Sequence, residues 1–91
     1  MEPLTRRLTI VNKRGLHARA SAKFVQTVEK FDATITVAKD GMQVGGTSIM
    51  GLMMLAASIN STILVSAAGA EADQALDAIE ALVSDRFGEE C

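Results

Sequence analysis

Leu4, Leu8 and Ile10 fall on one side of an extended segment, with Thr5, Arg7 and Thr9 between them. This alternation predicts a half-buried strand over Leu4–Val11. The period then changes. From Ala18 onward, Ala20, Phe24, Val28 and Phe31 recur at helical intervals while Lys23, Gln26 and Lys30 occupy other faces, which predicts an amphipathic helix. Ala33, Ile35 and Val37 alternate with Thr34 and Thr36, and Asp40-Gly41 follows. Such a pair accepts the positive φ values of a two-residue hairpin turn, so Met42 and Val44 open a third segment of sheet. A turn at Asp40-Gly41 also sets Val37 opposite Val44, on the same face.

Gly45-Gly46 ends that strand, and Ser48 stands as N-cap before a Met-rich helix over Ile49–Ala57. Ile63, Val65 and Ala67 form the next strand, broken by Gly69. Glu71 and Asp73 suit the positive end of a last helix, in which Leu76, Ile79, Val83 and Phe87 line one face up to Gly88. The order is βαββαβα. Alternation on every strand implies a sheet with one wet face and one face covered by helices, an α+β open-faced sandwich. With 91 residues the chain, 1–91, is one domain, since two cores need more length. It contains no repeat, linker or low-complexity tract.

Composition narrows the function. Hydrophobic residues make up 48% of the chain, enough for a core, but aromatics only 3%, with no Trp or Tyr. Base stacking has few candidates, and nucleic-acid binding is not expected. The longest mostly apolar run, Ile49–Ile59, is too short to span a bilayer, so no membrane insertion is expected. The single Cys91 cannot pair within the chain, which fits a reducing, cytoplasmic location. One His and one Cys supply no familiar metal-ligand set, and no metal or other cofactor is expected. Gly45-Gly46-Thr47-Ser48 lacks the Lys of a phosphate-binding loop.

Net charge is only -2, yet the signs separate along the chain. Seven cations (Arg6, Arg7, Lys13, Arg14, Arg19, Lys23, Lys30) meet two acids in the first thirty residues. Seven acids meet Arg86 alone from Glu71 to the end. This asymmetry suggests a cationic surface for an anionic partner, although ordinary solvated faces explain it equally well on charge alone.

The only histidine, His17, lies in Asn12-Lys13-Arg14-Gly15-Leu16-His17-Ala18-Arg19, between the first strand and the first helix. Helix-start amides lack internal partners and the macrodipole is positive there, so an anion gains hydrogen bonds and field. A neutral imidazole can attack phosphorus without a dedicated base. The resulting phosphoryl group could accept bonds from the Ala18 and Arg19 amides and from the Arg19 guanidinium. On residue type alone, a lone histidine such as His17 is more often an N-cap or a solvated surface residue. Gly15, which permits close approach of the loop, and the flanking cations favour phosphoryl chemistry.

The run Gly15-Leu16-His17-Ala18-Arg19, followed by Ala20-Ser21-Ala22-Lys23-Phe24-Val25, resembles the active-site signature of the HPr family. These are the histidine-containing phosphocarriers of the bacterial phosphoenolpyruvate-dependent phosphotransferase system. Thr47-Ser48-Ile49-Met50-Gly51-Leu52-Met53-Met54-Leu55-Ala56-Ala57 resembles the family's second motif. The resemblance spans nearly the whole chain. It implies a four-stranded antiparallel sheet ordered 1-4-2-3 with three helices on one face. It further implies that His17 is phosphorylated at Nδ1 by Enzyme I and that Arg19 steadies the group. The group then passes to A-type acceptor subunits of a sugar or a nitrogen branch, without independent catalytic turnover. Ser48 resembles a serine modified by a dedicated kinase, HPr kinase/phosphorylase, in some relatives. Ala18, Ala22, Lys23, Gln26, Ile49, Met50 and Met53 match a docking patch, while Leu52 and Leu55 are expected in the core. A monomer suits such a shuttle. The other reading is a regulatory module of the same fold, switched by phosphorylation of His17 or Ser48. One departure stands out: the family usually carries Pro where this chain has Ala20, so the first helical turn is expected to be slightly less rigid.

Overall fold

The computed structural model describes residues 3–89. Cys91, expected to be unpaired, lies outside the described residues. Four strands, β1 (Leu4–Thr9), β2 (Thr34–Lys39), β3 (Met42–Gly45) and β4 (Thr62–Ala68), alternate with three helices, α1 (Ala18–Val28), α2 (Ile49–Met54) and α3 (Ala72–Ser84). The strands form one antiparallel sheet in the order β1-β4-β2-β3. Fold class, element order and strand order agree with the expectations from sequence.

Register explains why one face is apolar. Leu8 pairs with Ile63, Val37 with both Val65 and Val44, and Ile35 with Ala67. Because side chains alternate, these residues all point to the same side. There they are buried with Phe24, Val28, Leu52, Leu76, Ile79 and Val83 of the helices, while Val44 is half-buried against them. Each of the large core side chains contributes roughly 1.5–3 kcal/mol by leaving water. The other face carries Thr5, Arg7, Thr9, Thr34 and Thr62, largely exposed. At the hairpin, Asp40 (φ 50°) and Gly41 (φ 83°) are both left-handed, the conformation of a type I′ turn.

Element ends depart from the periodicity. β1 stops at Thr9 rather than Val11, and Val11 is exposed. Ile10 still bonds across to Asn60 and Ser61, where the connecting turn replaces the ladder. Helix α2 ends at Met54 rather than Ala57, because the chain turns through Ala56 in a left-handed conformation (φ 52°). The turn frees the Ala57 carbonyl to accept from the Leu16 amide at 2.9 Å. Helix α3 stops at Ser84 rather than running to Gly88. Arg86 and Phe87 turn left-handed within a short 3₁₀ segment, α4 (Arg86–Gly88), which carries the Phe87 ring into the core. Glu71 does not cap α3 with its side chain; its carboxylate accepts from the Asp32 amide at 2.7 Å.

One expectation about a strand face also changes. Leu4 is 44% exposed because it lies at the end of the edge strand, at the rim of the helical layer. Arg6, on the same side of β1, reaches the acidic face of α3. It sits 2.8 Å from Asp77, 2.9 Å from Glu80 and 3.7 Å from Asp73. Its guanidinium pKa is raised, chiefly by the hydrogen bond to Asp77. Part of the charge separation along the sequence is thus closed in space.

Candidate functional site

The loop between β1 and α1 is shaped by three residues around Gly15. Asn12, fully buried, donates from Nδ2 to the Gly15 carbonyl at 3.0 Å, and its own carbonyl accepts from the Gly15 amide at 3.2 Å. Ser21, also fully buried, donates from Oγ to the Leu16 carbonyl at 3.2 Å. Gly15 is left-handed (φ 63°), and a Cβ there would stand 2.2 Å from the Ala57 carbonyl oxygen. No side chain fits, so glycine is required both for its φ and for the close approach to the end of α2. Leu16 is buried and anchors the loop. The periodicity that revealed the elements is silent on Asn12 and Ser21, because a polar residue buried to satisfy backbone groups interrupts no apolar stripe.

His17 is the N-cap of α1, with extended backbone, and its carbonyl accepts the first helical bond from Ser21. Its ring accepts as well: the Arg19 amide donates to Nδ1 at 3.3 Å. Nδ1 therefore holds a lone pair at the mouth of the first turn. On the other side of the ring, Nε2 contacts the Glu89 carboxylate. The imidazole is one-quarter exposed, at the surface rather than in the core. Ala18 and Arg19 are exposed, and no salt bridge engages the Arg19 guanidinium among the described residues. Ala20, where the family usually has Pro, is 1% exposed inside the same turn.

A shallow hollow beside the ring is lined by Arg14, Leu16, His17, Met53, Ala56, Ala57 and Ser58. It joins the two sequence motifs, since helix α2 packs against α1. Ser48 caps α2, accepting from the Gly51 amide at 2.9 Å. Ile49, Met50 and Met53 are 40%, 73% and 43% exposed, whereas Leu52 and Leu55 are buried. On α1, Ala18, Ala22 and Gln26 follow at four-residue spacing on an accessible stripe. Lys23 is committed elsewhere: its Nζ donates to the Phe87 carbonyl at 2.7 Å. Of the cations flanking His17 in sequence, Lys23 is thus turned to Phe87, while Arg14 lines the hollow beside the ring and Arg19 is exposed in the first helical turn. Among the described residues no group of three His, Cys, Asp or Glu side chains is placed to hold a metal ion, and no helix is long and apolar enough to cross a membrane.

Residues 4–85 match the family model described as the PTS HPr component phosphorylation site. The chain belongs to the HPr family of phosphocarriers. A phosphocarrier protein HPr of Cupriavidus necator is 49% identical over 86 residues, covering 94% of this chain and 97% of that protein. A phosphocarrier protein NPr of Shewanella violacea is 44% identical over 89 residues, covering 98% of each. Among solved structures, HPr-C-His from Thermoanaerobacter tengcongensis superposes with a TM-score of 0.91 at 42% identity, covering 97% of this chain and 99% of that one. As a member of this family, the chain is a phosphocarrier of the phosphotransferase system.

Proposed function

We propose that this phosphocarrier accepts a phosphoryl group on His17 Nδ1 from phospho-Enzyme I and hands it to A-type acceptor proteins. The observation that carries the proposal is the placement of Nδ1. It faces the first-turn amide of Arg19, so the contact that caps the helix at rest can pass to a phosphoryl oxygen once the Nδ1 lone pair is engaged by phosphorus. The Ala18 amide and the Arg19 guanidinium add donors, charge-assisted bonds of about 1.5–3 kcal/mol each. A site with so few donors stabilises the group without trapping it, as reversible transfer requires. The partner-facing surface is the neighbouring patch of Ala18, Ala22, Gln26, Ile49, Met50 and Met53. Flexible Met side chains there can adapt to partners that dock in turn. Lys23 contributes its stem at the edge of this patch, its ammonium being held by Phe87. One exposed docking face suits a monomeric carrier in the cytoplasm.

Incubation with Enzyme I and labelled phosphoenolpyruvate is expected to give an acid-labile, alkali-stable adduct, absent in His17→Ala. Label retained by that variant would overturn the assignment. Transfer of the label to candidate acceptor subunits distinguishes the sugar branch from the nitrogen branch. Regulation at Ser48 is a second reading, favoured by its exposure at the head of α2 beside Ile49 and Met50. A phosphate there is tolerated by the helix start, while its charge repels an acidic docking surface. HPr kinase/phosphorylase with ATP would label wild type but not Ser48→Ala, and the modified protein would exchange more slowly with Enzyme I.

A further inference from the structure

The segment that follows α3 is built toward His17. After α3 the backbone reverses through Arg86 (φ 59°), Phe87 (φ 54°) and Gly88 (φ 78°). Left-handed backbone at a non-glycine residue costs roughly 1–2 kcal/mol, so two such residues in succession require an anchor. Two anchors are present. The Phe87 ring is 1% exposed in the core, and Lys23 Nζ holds the Phe87 carbonyl at 2.7 Å. The next side chain beyond this clamp is Glu89, which is 15% exposed and whose carboxylate lies on His17 Nε2. Its pKa is held below the ordinary carboxylate value, first by the hydrogen bond with His17. Desolvation opposes that shift, and the Asn12 amide and the charge of Arg14 reinforce it.

The two ring nitrogens of His17 therefore have partners of opposite kind. The Arg19 N–H can only donate, so Nδ1 is the unprotonated nitrogen. A carboxylate can only accept, so the single proton of the neutral ring belongs on Nε2, toward Glu89. We infer that Glu89 is a positioning residue for phosphoryl transfer: its carboxylate keeps the ring proton on Nε2 and so presents Nδ1 as the nucleophile. This deepens the carrier reading above and rests on it.

The balance of the step follows. In acceptance, the Nδ1 lone pair forms the nitrogen–phosphorus bond as the bond between phosphorus and the donor breaks, its electron pair leaving with the donor. The His17 ring becomes an imidazolium that retains the Nε2 proton, and the Glu89 carboxylate offsets the new charge. In donation, the nitrogen–phosphorus pair returns to Nδ1 and the ring departs as neutral imidazole, still protonated at Nε2. No proton enters or leaves the ring in either direction, so the site needs no separate acid or base. A similar carboxylate-to-histidine contact fixes ring orientation and tautomer at metal and hydrolase sites.

The test uses the full chain with ¹⁵N-labelled histidine, as wild type, Glu89→Gln and Glu89→Ala. Without any partner, wild type is expected to show a downfield, exchange-protected Nε2–H resonance and an unprotonated Nδ1. The resonance moves upfield in Glu89→Gln, which keeps shape but loses charge, and exchanges away in Glu89→Ala. Acceptance of the phosphoryl group from phospho-Enzyme I falls by roughly fivefold to tenfold in Glu89→Gln, the difference between a charged and a neutral hydrogen bond, because the carboxylate no longer offsets the charge the ring gains. A proton found on Nδ1 of wild type would overturn the inference. So would resonances and transfer rates that stay unchanged in both variants. Failure of wild type to take label from Enzyme I would instead sink the carrier reading, because the resonance is read with no partner present.

Discussion

Gly15→Ala tests whether the loop before His17 is set by backbone contact rather than by glycine's torsional freedom alone. Two costs are expected. Alanine at φ 63° pays for the left-handed conformation, about 1–2 kcal/mol. Its Cβ also stands 2.2 Å from the Ala57 carbonyl oxygen and 2.9 Å from Ser58 Cα. Restoring ordinary contact requires roughly 1 Å of backbone movement. That movement stretches the Leu16–Ala57 hydrogen bond of 2.9 Å, adding about 1–3 kcal/mol of overpacking. The total is about 2–5 kcal/mol, a large share of the roughly 5–15 kcal/mol that holds a domain together. Gly41→Ala supplies the control: φ there is +83°, but nothing lies within 4 Å of the added Cβ, so only the conformational cost applies. Urea unfolding of both variants, compared at equal m-value, should place Gly15→Ala below Gly41→Ala by at least ~1 kcal/mol. Phosphorylation by Enzyme I should slow only in Gly15→Ala, because the movement displaces Leu16 and His17. Equal destabilisation of the two variants, with equal phosphorylation rates, would refute the contact argument.

Ser48→Ala removes the cap on α2 and should cost about 1 kcal/mol in a thermal melt, without slowing acceptance of phosphoryl by His17. Ala20→Pro lies in the first turn of α1, where the missing N–H opens no i−4 bond within the helix. It is expected to stabilise the fold by about 0.4–1 kcal/mol, read from the denaturant midpoint. Glu89 gives a pH dependence of defined sign. Its folded-state pKa lies below the ordinary value of 4.5, so its contribution is complete above that value and is lost as pH falls below 4.5 through the lower folded one. NMR shifts of His17 and Gly88 should report release of the tail in that acidic window, and Glu89→Gln should abolish the dependence.

The element order, the Asp40-Gly41 hairpin and the core face of every strand could be read from the residues. Each depends on local periodicity: alternation decides which side of a strand faces the helices, and apolar recurrence decides which face of α1 is buried. The His17 junction was equally legible, because a helix start is a local event. The choice of which polar groups meet was not. Arg6 crosses to Asp77 and Glu80 on α3, Lys23 turns from the cation cluster to Phe87, and Glu89 reaches His17 across 72 positions of sequence. The ends of α2 and α3 belong with these, since Ala56, Arg86 and Phe87 adopt left-handed backbone that their residue types do not favour. Local propensity alone would leave all three in other conformations. Packing of Phe87 in the core and the bond from Leu16 to Ala57 offset that cost, and those contacts exist only once the sheet and helices have assembled.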